Sequence, residues 1–354
     1  MNNKQKEWEF LPIWKALYPV AWTFLKLSFK YKNPLFFTNV NPSIETSGLF
    51  GESKIDILNK IPEAYKPRTL FIKAEWTVET CMEKVLGTFP IFPIVAKPNI
   101  GERGFLVRIL KNEEELISYL KRYKLDLIIQ EFVDLPRELA IMYYHLPGEK
   151  KGHISSVCIK RFLSVTGDGE SSVLELMKYD ERARKQIDRF KKEKTSLLDQ
   201  IPKNGERVIL EKVGNHCKGT TFLDGSHLIN PMMLEQFNKI GQQMEGVCYG
   251  RFDLKYNNLE ELNAGKNIRI IEFNGVGAEP AHIYDPEIPI AQKIKDYRDH
   301  IHQIAIIHKL QKQRGIRTSS LGELYNIYKY YRQKTTLSKI PNRKTEQYAF
   351  VDNH

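Results

Sequence analysis

From Phe89 onward the chain alternates short apolar runs with polar, glycine-bearing turns. "FPIFPIVAKP" (89–98) is an apolar run closing on Lys97, "NIGERG" (99–104) a polar turn, and "FLVRIL" (105–110) a second run. Two short strands joined by such a turn predict a hairpin. "NEEELISYLKRY" has an asparagine cap at Asn112 and acidic residues in its first turn, which predicts a helix. "LDLIIQEFV" reads as a buried strand from its unbroken apolar run. "RELAIMYYHLPG" and "GHISSVCIKRFLSV" predict two more strands, turned at Pro147-Gly148. "SVLELMKYDERARKQIDRFKKE" predicts one polar helix, the stretch around "VGNHCKGTTFLDGS" a loop, and "PMMLEQFNKIGQQM" a helix. "VCYGRFDLKY" and "IRIIEFNG" predict strands, followed by mainly helical chain from Pro286 to about Leu310.

Strands and helices are mixed without strict βαβ alternation, which predicts α+β layering with mainly antiparallel sheets. Residues 1–66 show neither this rhythm nor a phosphate loop. Within them "WEFLPIWKALYPVAWTFLKLSFK" is aromatic-rich, interrupted by Pro12, Lys15 and Pro19 and closed by Lys26. It is too broken to span a bilayer, which needs about 20 apolar residues, and no cleavage site follows it. A helix docked on the body is expected. The other reading is an interfacial helix, with residues 1–30 in peripheral contact with the inner membrane face. The tail from Gln311 is basic, with Tyr325, Tyr328, Tyr330 and Tyr331 at roughly helical spacing.

Composition narrows the class. The 354 residues are 42% hydrophobic and 27% charged, an ordinary globular balance sufficient for two or three domains. The formal net charge of +11 favours polyanionic partners without choosing among them. Nucleic acid is not expected, because basic residues interleave with aromatics only in the tail and no RNA-binding motif is visible. The four cysteines (Cys81, Cys158, Cys217, Cys248) form no C-x-x-C pair. They read as small apolar residues of a reducing compartment, hence a cytoplasmic protein.

Candidate chemistry gathers at strand ends. Lys97 precedes a loop with Gly101, Arg103 and Gly104, where backbone N–H groups and point charges suit an anion. It is not a Walker A loop. "QEFVDLPRE" places Glu131 and Glu138 around a strand end whose backbone is free to pair with an adenine edge. Lys160 lies inside an otherwise apolar strand, where an unpaired charge is costly. Arg251 and Asp253 are two apart, as are Glu272 and Asn274, so each pair shares a strand face. Asp253, Glu272 and Asn274 together supply two carboxylates and an amide, a set of oxygen ligands suited to Mg²⁺.

A lysine strand, a glycine loop, "QEFV", a second lysine, then "GRFD" and "EFNG", in this order, resemble the ATP-grasp superfamily from about Pro67 to Ala305. "GRFD…EFN" is similar to D-alanine–D-alanine ligases. "VTGDGESSVLELM" and "GNHCKGTTFLD" resemble the ATP-grasp domains of cyanophycin synthetase and bifunctional glutathione synthetases. The resemblance implies two α+β lobes with mainly antiparallel sheets clamping ATP, behind a short aromatic-rich helical segment. It divides the chain into 1–66, a small lobe 67–135, a large lobe 136–310 and a basic helical tail 311–354.

By position, the resemblance puts Lys97 and Lys160 on the ATP phosphates and Gly101 to Gly104, with Arg103, in a flap over them. Glu131, Phe132 and Val133 would hold the adenine and Glu138 the ribose. Asp253, Glu272 and Asn274 would bind Mg²⁺, and Arg251 would stabilise an acyl phosphate. The implied activity joins a carboxylate to an amine, on small-molecule or peptide substrates, with ATP giving ADP and phosphate. The alternative is a non-catalytic nucleotide-binding or membrane-associated scaffold. Two departures point away from D-alanine–D-alanine ligase itself. No compact α/β domain precedes the grasp, and "VGAEPAHIYDP" replaces the short Ser/Pro/Gly loop after "EFNG", adding Glu279, His282 and Asp285.

Overall fold

The structure, a computed structural model, describes residues 13–101 and 104–335. Among them the chain forms two compact units. One runs to Ile159 and resumes at Leu223, and the other is Lys160–Phe222.

The first unit opens with helix α1 (Ile13–Tyr31), then irregular chain and the short helix α2 (Lys54–Leu58). Next come β1 (Thr69–Ile72), α3 (Val78–Thr88), β2 (Ile94–Pro98), β3 (Arg108–Leu110), α4 (Glu113–Arg122) and β4 (Leu127–Glu131). The four strands form one sheet in the order β1-β4-β2-β3, every pair antiparallel. The β2–β3 hairpin and α4 follow the sequence pattern, with Asn112 Oδ1 accepting from Glu115 N at 2.9 Å. Strand β1 and helix α3 went unrecognised in the sequence, because "TLFI" is only four residues long.

Strands β5 (Arg137–His145) and β6 (Gly152–Arg161) begin a second sheet, and β6 leads into the other unit. That unit holds β7 (Ser164–Thr166), helices α5 (Val173–Tyr179), α6 (Glu181–Arg184), α7 (Ile187–Glu193) and α8 (Thr195–Leu198), and β8 (Arg207–Ile209). The single polar helix expected over 172–193 is thus three short ones. Asp180 ends the first and caps the next, Oδ1 accepting from Arg182 N and Ala183 N. The core of this unit is Leu163, Val165, Val173, Met177, Phe190 and Leu210. The unit also buries Glu211, paired with Arg189 at 2.9 Å, Lys194 at 3.9 Å and Lys218 at 4.0 Å.

The chain returns through β9 (Thr221–Asp224), where a loop was expected, then α9 (Pro231–Gln243), β10 (Tyr249–Tyr256), α10 (Leu259–Asn263) and β11 (Ile268–Asn274). The second sheet runs β11-β10-β5-β6-β9, with β10 antiparallel to both its neighbours. Helices α11 (Ile290–Gln313) and α12 (Leu321–Thr335) follow.

Alternation along β5 and β10 explains how this sheet is covered. Leu139, Ile141, Tyr143, Phe252 and Leu254 turn one way, into a core with Phe237 and Ile240 of α9. Met142 and Tyr249 turn the other way, toward Leu27 of α1 and Ile304 and Ile307 of α11. Both faces of β5 are therefore buried, which is why "LAIMYY" reads as a continuous apolar run.

Candidate functional site

Strand β10 is two-faced beyond Tyr249. Phe252, Leu254 and Tyr256 enter the core, so Arg251, Asp253 and Lys255 share the opposite face. The register continues this polar column onto the neighbouring strands. Asp253 stands opposite Glu272 and Arg251 opposite Asn274, while Lys255 stands opposite Glu138 on β5. The pairs two apart do share a face, and the two strands present their polar residues together.

Asp253 is 2% exposed, and its Oδ2 takes three donors. Arg251 donates from Nε at 3.3 Å and Nη2 at 3.1 Å, and Asn274 from Nδ2 at 2.9 Å. Arg251 also donates through Nη1 to the Glu279 carbonyl at 3.0 Å. Burial works against its charge, but Asp253 outweighs burial and raises its pKa.

A bulge organises the next part of the site. Between Asp253–Glu272 and Leu254–Ile270 the register skips Ile271. A bulged residue leaves the ladder, and the Ile271 carbonyl accepts instead from Lys97 Nζ at 3.1 Å. The lysine at the end of β2 thus meets the other sheet at its irregular point. Lys97 is buried and also donates to Gln130 Oε1 at 3.2 Å. Burial pushes its pKa down to about 8, with Glu272 opposing and Lys54 adding to the shift.

Lys54 was not anticipated from the sequence. It comes from α2, in the segment with no recognisable pattern, and its Nζ lies 2.8 Å from Glu272 Oε1. The position of α2 is fixed by Asn99, just after β2. Its Oδ1 accepts from Ile55 N at 2.9 Å and its carbonyl from Lys54 N at 3.1 Å. Burial alone would raise the Glu272 pKa, but Lys54 and then Lys97 overcome it and hold the carboxyl at about 2. The only sequence signal was a serine cap at Ser53 before a lysine.

The segment before α2 is tied to the same strands. Asn41 is fully buried, its Oδ1 accepting from Cys248 N at 2.8 Å and Tyr249 N at 2.9 Å. Its Nδ2 donates to the Tyr249 carbonyl at 2.8 Å and the Ser47 carbonyl at 3.0 Å. Gly48 and Gly275 let two backbones touch: a Cβ on Gly275 would stand 2.1 Å from Ser47 O, and Gly48 has φ +79°. The chain after β11 therefore lies against residues 47–49, with Val276 N donating to Ser47 O at 3.0 Å.

In that following loop Glu279 accepts from the Tyr284 hydroxyl, and Asp285 Oδ2 accepts from Asp224 N at 2.7 Å. His282 Nε2 lies 3.1 Å from Asp296 Oδ2. His300 Nδ1 lies 2.9 Å from the Tyr249 hydroxyl, and burial pushes its pKa down to about 4.

The remaining expected residues are placed as follows. Glu131 is exposed at the end of β4; its N–H donates to Arg68 O at 2.9 Å and its Oε2 accepts from Arg68 N at 3.1 Å. The Val133 carbonyl accepts from Lys255 Nζ at 3.2 Å, and that ammonium lies 5.7 Å from the Phe132 ring centre. Glu138 is 2% exposed. Gly101 and Gly104 flank the turn after β2, and Arg103 lies outside the described residues. Lys160 opens the second unit, with its ammonium 5.9 Å from the centre of the Phe222 ring.

The motifs thus lie in their expected order on two mainly antiparallel sheets with helices packed on them, the α+β layering that the sequence predicts. Three solved enzymes have a distant likeness to the chain. A bifunctional glutathione synthetase from Pasteurella multocida matches 71% of this chain and 36% of its own, at 16% identity and a TM-score of 0.39. The VanG D-Ala:D-Ser ligase from Enterococcus faecalis matches 74% of this chain and 64% of its own, at 10% identity and a TM-score of 0.42. A D-alanine–D-alanine ligase from Bacillus anthracis matches 72% of this chain and 67% of its own, at 12% identity and a TM-score of 0.39. The chain therefore spans about a third of the first enzyme and just under two thirds of the second. No family model and no curated protein matches it.

Proposed function

We propose that the protein is an ATP-dependent ligase that joins a carboxylate to an amine through an acyl phosphate. The observation that carries this reading is the single polar column of Arg251, Asp253, Glu272 and Asn274, met by Lys97 and Lys54. Three cations face two carboxylates there, so the column holds an excess of positive charge. Such a surplus, partly buried, suits a polyphosphate.

The donor set also fits Mg²⁺. Asp253 and Glu272 are a cross-strand pair, and Asn274 uses its amide nitrogen on Asp253, which leaves its oxygen as the remaining acceptor. Among the described residues no cluster of three His, Cys, Asp or Glu side chains suits a metal. Mg²⁺ would take its other ligands from phosphate and water. Bound there, Mg²⁺ would neutralise charge on the transferring phosphoryl group.

The chain's own residues supply the rest. Lys97 approaches the phosphates as a point charge, and the order of motifs assigns Lys160 the same role. In the same reading Gly101 and Gly104 would cover the phosphates, and Glu131, Phe132, Val133 and Glu138 would hold the nucleoside. The substrate carboxylate attacks the γ-phosphorus and ADP leaves; the amine then attacks the acyl carbon and phosphate leaves. Arg251, which donates to Asp253 and to the Glu279 carbonyl, would stabilise the oxyanion of that second step. Lys54 holds Glu272 charged.

Calorimetric titration with Mg-ATP tests the binding half of this reading. Lys97→Ala should weaken binding about ten- to a hundred-fold, the loss of one charge-assisted contact worth on the order of 1.5–3 kcal/mol. Lys54→Ala should weaken it less and flatten its Mg²⁺ dependence. A screen of acids and amines for ADP release tests the chemistry. Equal affinity in wild type and Lys97→Ala would sink the assignment, and tight binding without ADP release from any pair would leave a nucleotide-binding scaffold.

A further inference from the structure

Helix α1 has two apolar faces. Val20, Thr23 and Leu27 are buried, and Leu27 packs with Phe36, Val40, Ile304 and Ile307. On the other side Tyr18, Trp22, Leu25 and Phe29 follow each other at steps of four, three and four, which is one stripe of a helix. They are 77%, 63%, 46% and 79% exposed. A stripe of three aromatics and a leucine left in water needs an occupant.

The charge beside the stripe says which. The helix carries lysines and no aspartate or glutamate. On the flank turned to α11, Lys26 and Lys30 join Arg298 and His302 around a surface pocket of about 390 Å³ that Trp22 also lines. Lys26 Nζ stands 5.4 Å from the centre of the Trp22 ring. Aromatic rings flanked by basic side chains suit the boundary between lipid headgroups and acyl chains. A second copy of the same face would bring lysines against lysines. No helix among the described residues is long and apolar enough to cross a bilayer.

We propose that α1 seats the protein on an anionic lipid surface. Tyr18, Trp22, Leu25 and Phe29 enter the interface, and the basic pocket of Lys26, Lys30 and Arg298 receives lipid phosphates. The inner face of the helix stays docked on α11. The reading stands independently of the ligase activity.

The test is flotation of the full chain with vesicles of phosphatidylcholine alone and of phosphatidylcholine mixed with phosphatidylglycerol. Binding should favour the anionic vesicles and weaken as salt is raised. Lys26→Ala and Lys30→Ala should each lower that binding about five-fold, the contribution of one basic residue at an anionic surface. Trp22→Ser with Phe29→Ser should abolish flotation while leaving the melting temperature unchanged, because both side chains are mostly in water. Spin-labelled lipid should quench part of the tryptophan fluorescence, and Trp22→Phe should remove that part.

Flotation that is absent, insensitive to lipid charge, or unchanged in the serine variant overturns the proposal. So does stabilisation by inorganic phosphate without vesicle binding, which would make the pocket a site for a free anion. A lower melting temperature of the serine variant without lipid would mean that the chain covers its own stripe. Concentration-dependent dimerisation lost in that variant would make the face a contact between copies. Either result overturns it.

Discussion

Lys54 and Glu272 are 218 positions apart in sequence and form the shortest ion pair of the site, at 2.8 Å. Their meeting sets the charge state of the neighbouring residues. Lys54 keeps the half-exposed Glu272 ionised, while burial, with Lys54 adding to it, leaves Lys97 as a lysine whose folded pKa, about 8, lies below its unfolded one. Between pH 8 and roughly 10 the unfolded chain holds a proton on Lys97 that the folded chain has released, so stability rises with pH in that window. Below it both states are protonated and the full penalty of burying the ammonium applies. Urea unfolding of wild type and Lys97→Met should therefore diverge, with wild type gaining on the order of 1–3 kcal/mol relative to the variant across the window. Parallel curves would show that Lys97 titrates normally.

Among the elements, β10 and β11 do most to build the site, and one irregularity matters as much as their regular register. The bulge at Ile271 frees the carbonyl that holds Lys97. The start of β10 is in turn held by Asn41, whose side chain serves the N–H groups of Cys248 and Tyr249 and two carbonyls in a dry setting. Asn41→Ala would strand those groups, and each buried unpaired polar group costs about 1–3 kcal/mol. A loss of about 3 kcal/mol or more is expected in chemical denaturation, together with weaker nucleotide binding because α2 and Lys54 follow the same segment. A loss under about 1 kcal/mol would mean that the backbone finds other partners.

At the scale of the molecule, the two units differ in how they are held. The first rests on broad apolar cores on both faces of a sheet. The second has a small core and one buried carboxylate, Glu211, among Arg189, Lys194 and Lys218. Burial would raise the Glu211 pKa, but Lys218, Lys194 and Arg189 win and lower it. Its contribution is thus present above the ordinary carboxylate pKa and lost as pH falls below it. Glu211→Gln removes the carboxylate that Arg189, Lys194 and Lys218 share, although Arg189 keeps Glu193 at 3.3 Å, and breaking a buried pair costs about 3–5 kcal/mol. Hydrogen exchange should then show residues 160–222 opening well before the rest of the chain. Uniform protection across both units would refute this division of stability.

Much of this was legible in the sequence because it is local. Period-two alternation in "GRFDLKY" put Arg251 and Asp253 on one face. The asparagine cap at Asn112 marked α4, and the unbroken apolar run of β4 signalled a buried strand. Resemblance supplied the order of the motifs. Where local signals were short or mixed, the pattern misled: β1 is too brief to register, and Asp180 breaks a helix that periodicity continues. Other features belong only to the tertiary structure. Nothing in "ESKIDIL" announces that Lys54 neutralises Glu272, and nothing near Ile271 announces a skipped register. Both depend on where distant backbones come to rest, and Gly48 against Gly275 and the four bonds of Asn41 decide that. Local sequence fixes which face a side chain shares, because alternation and capping act over a few residues. Which charges meet, and hence which groups stay ionised, is set by packing between segments far apart in the chain.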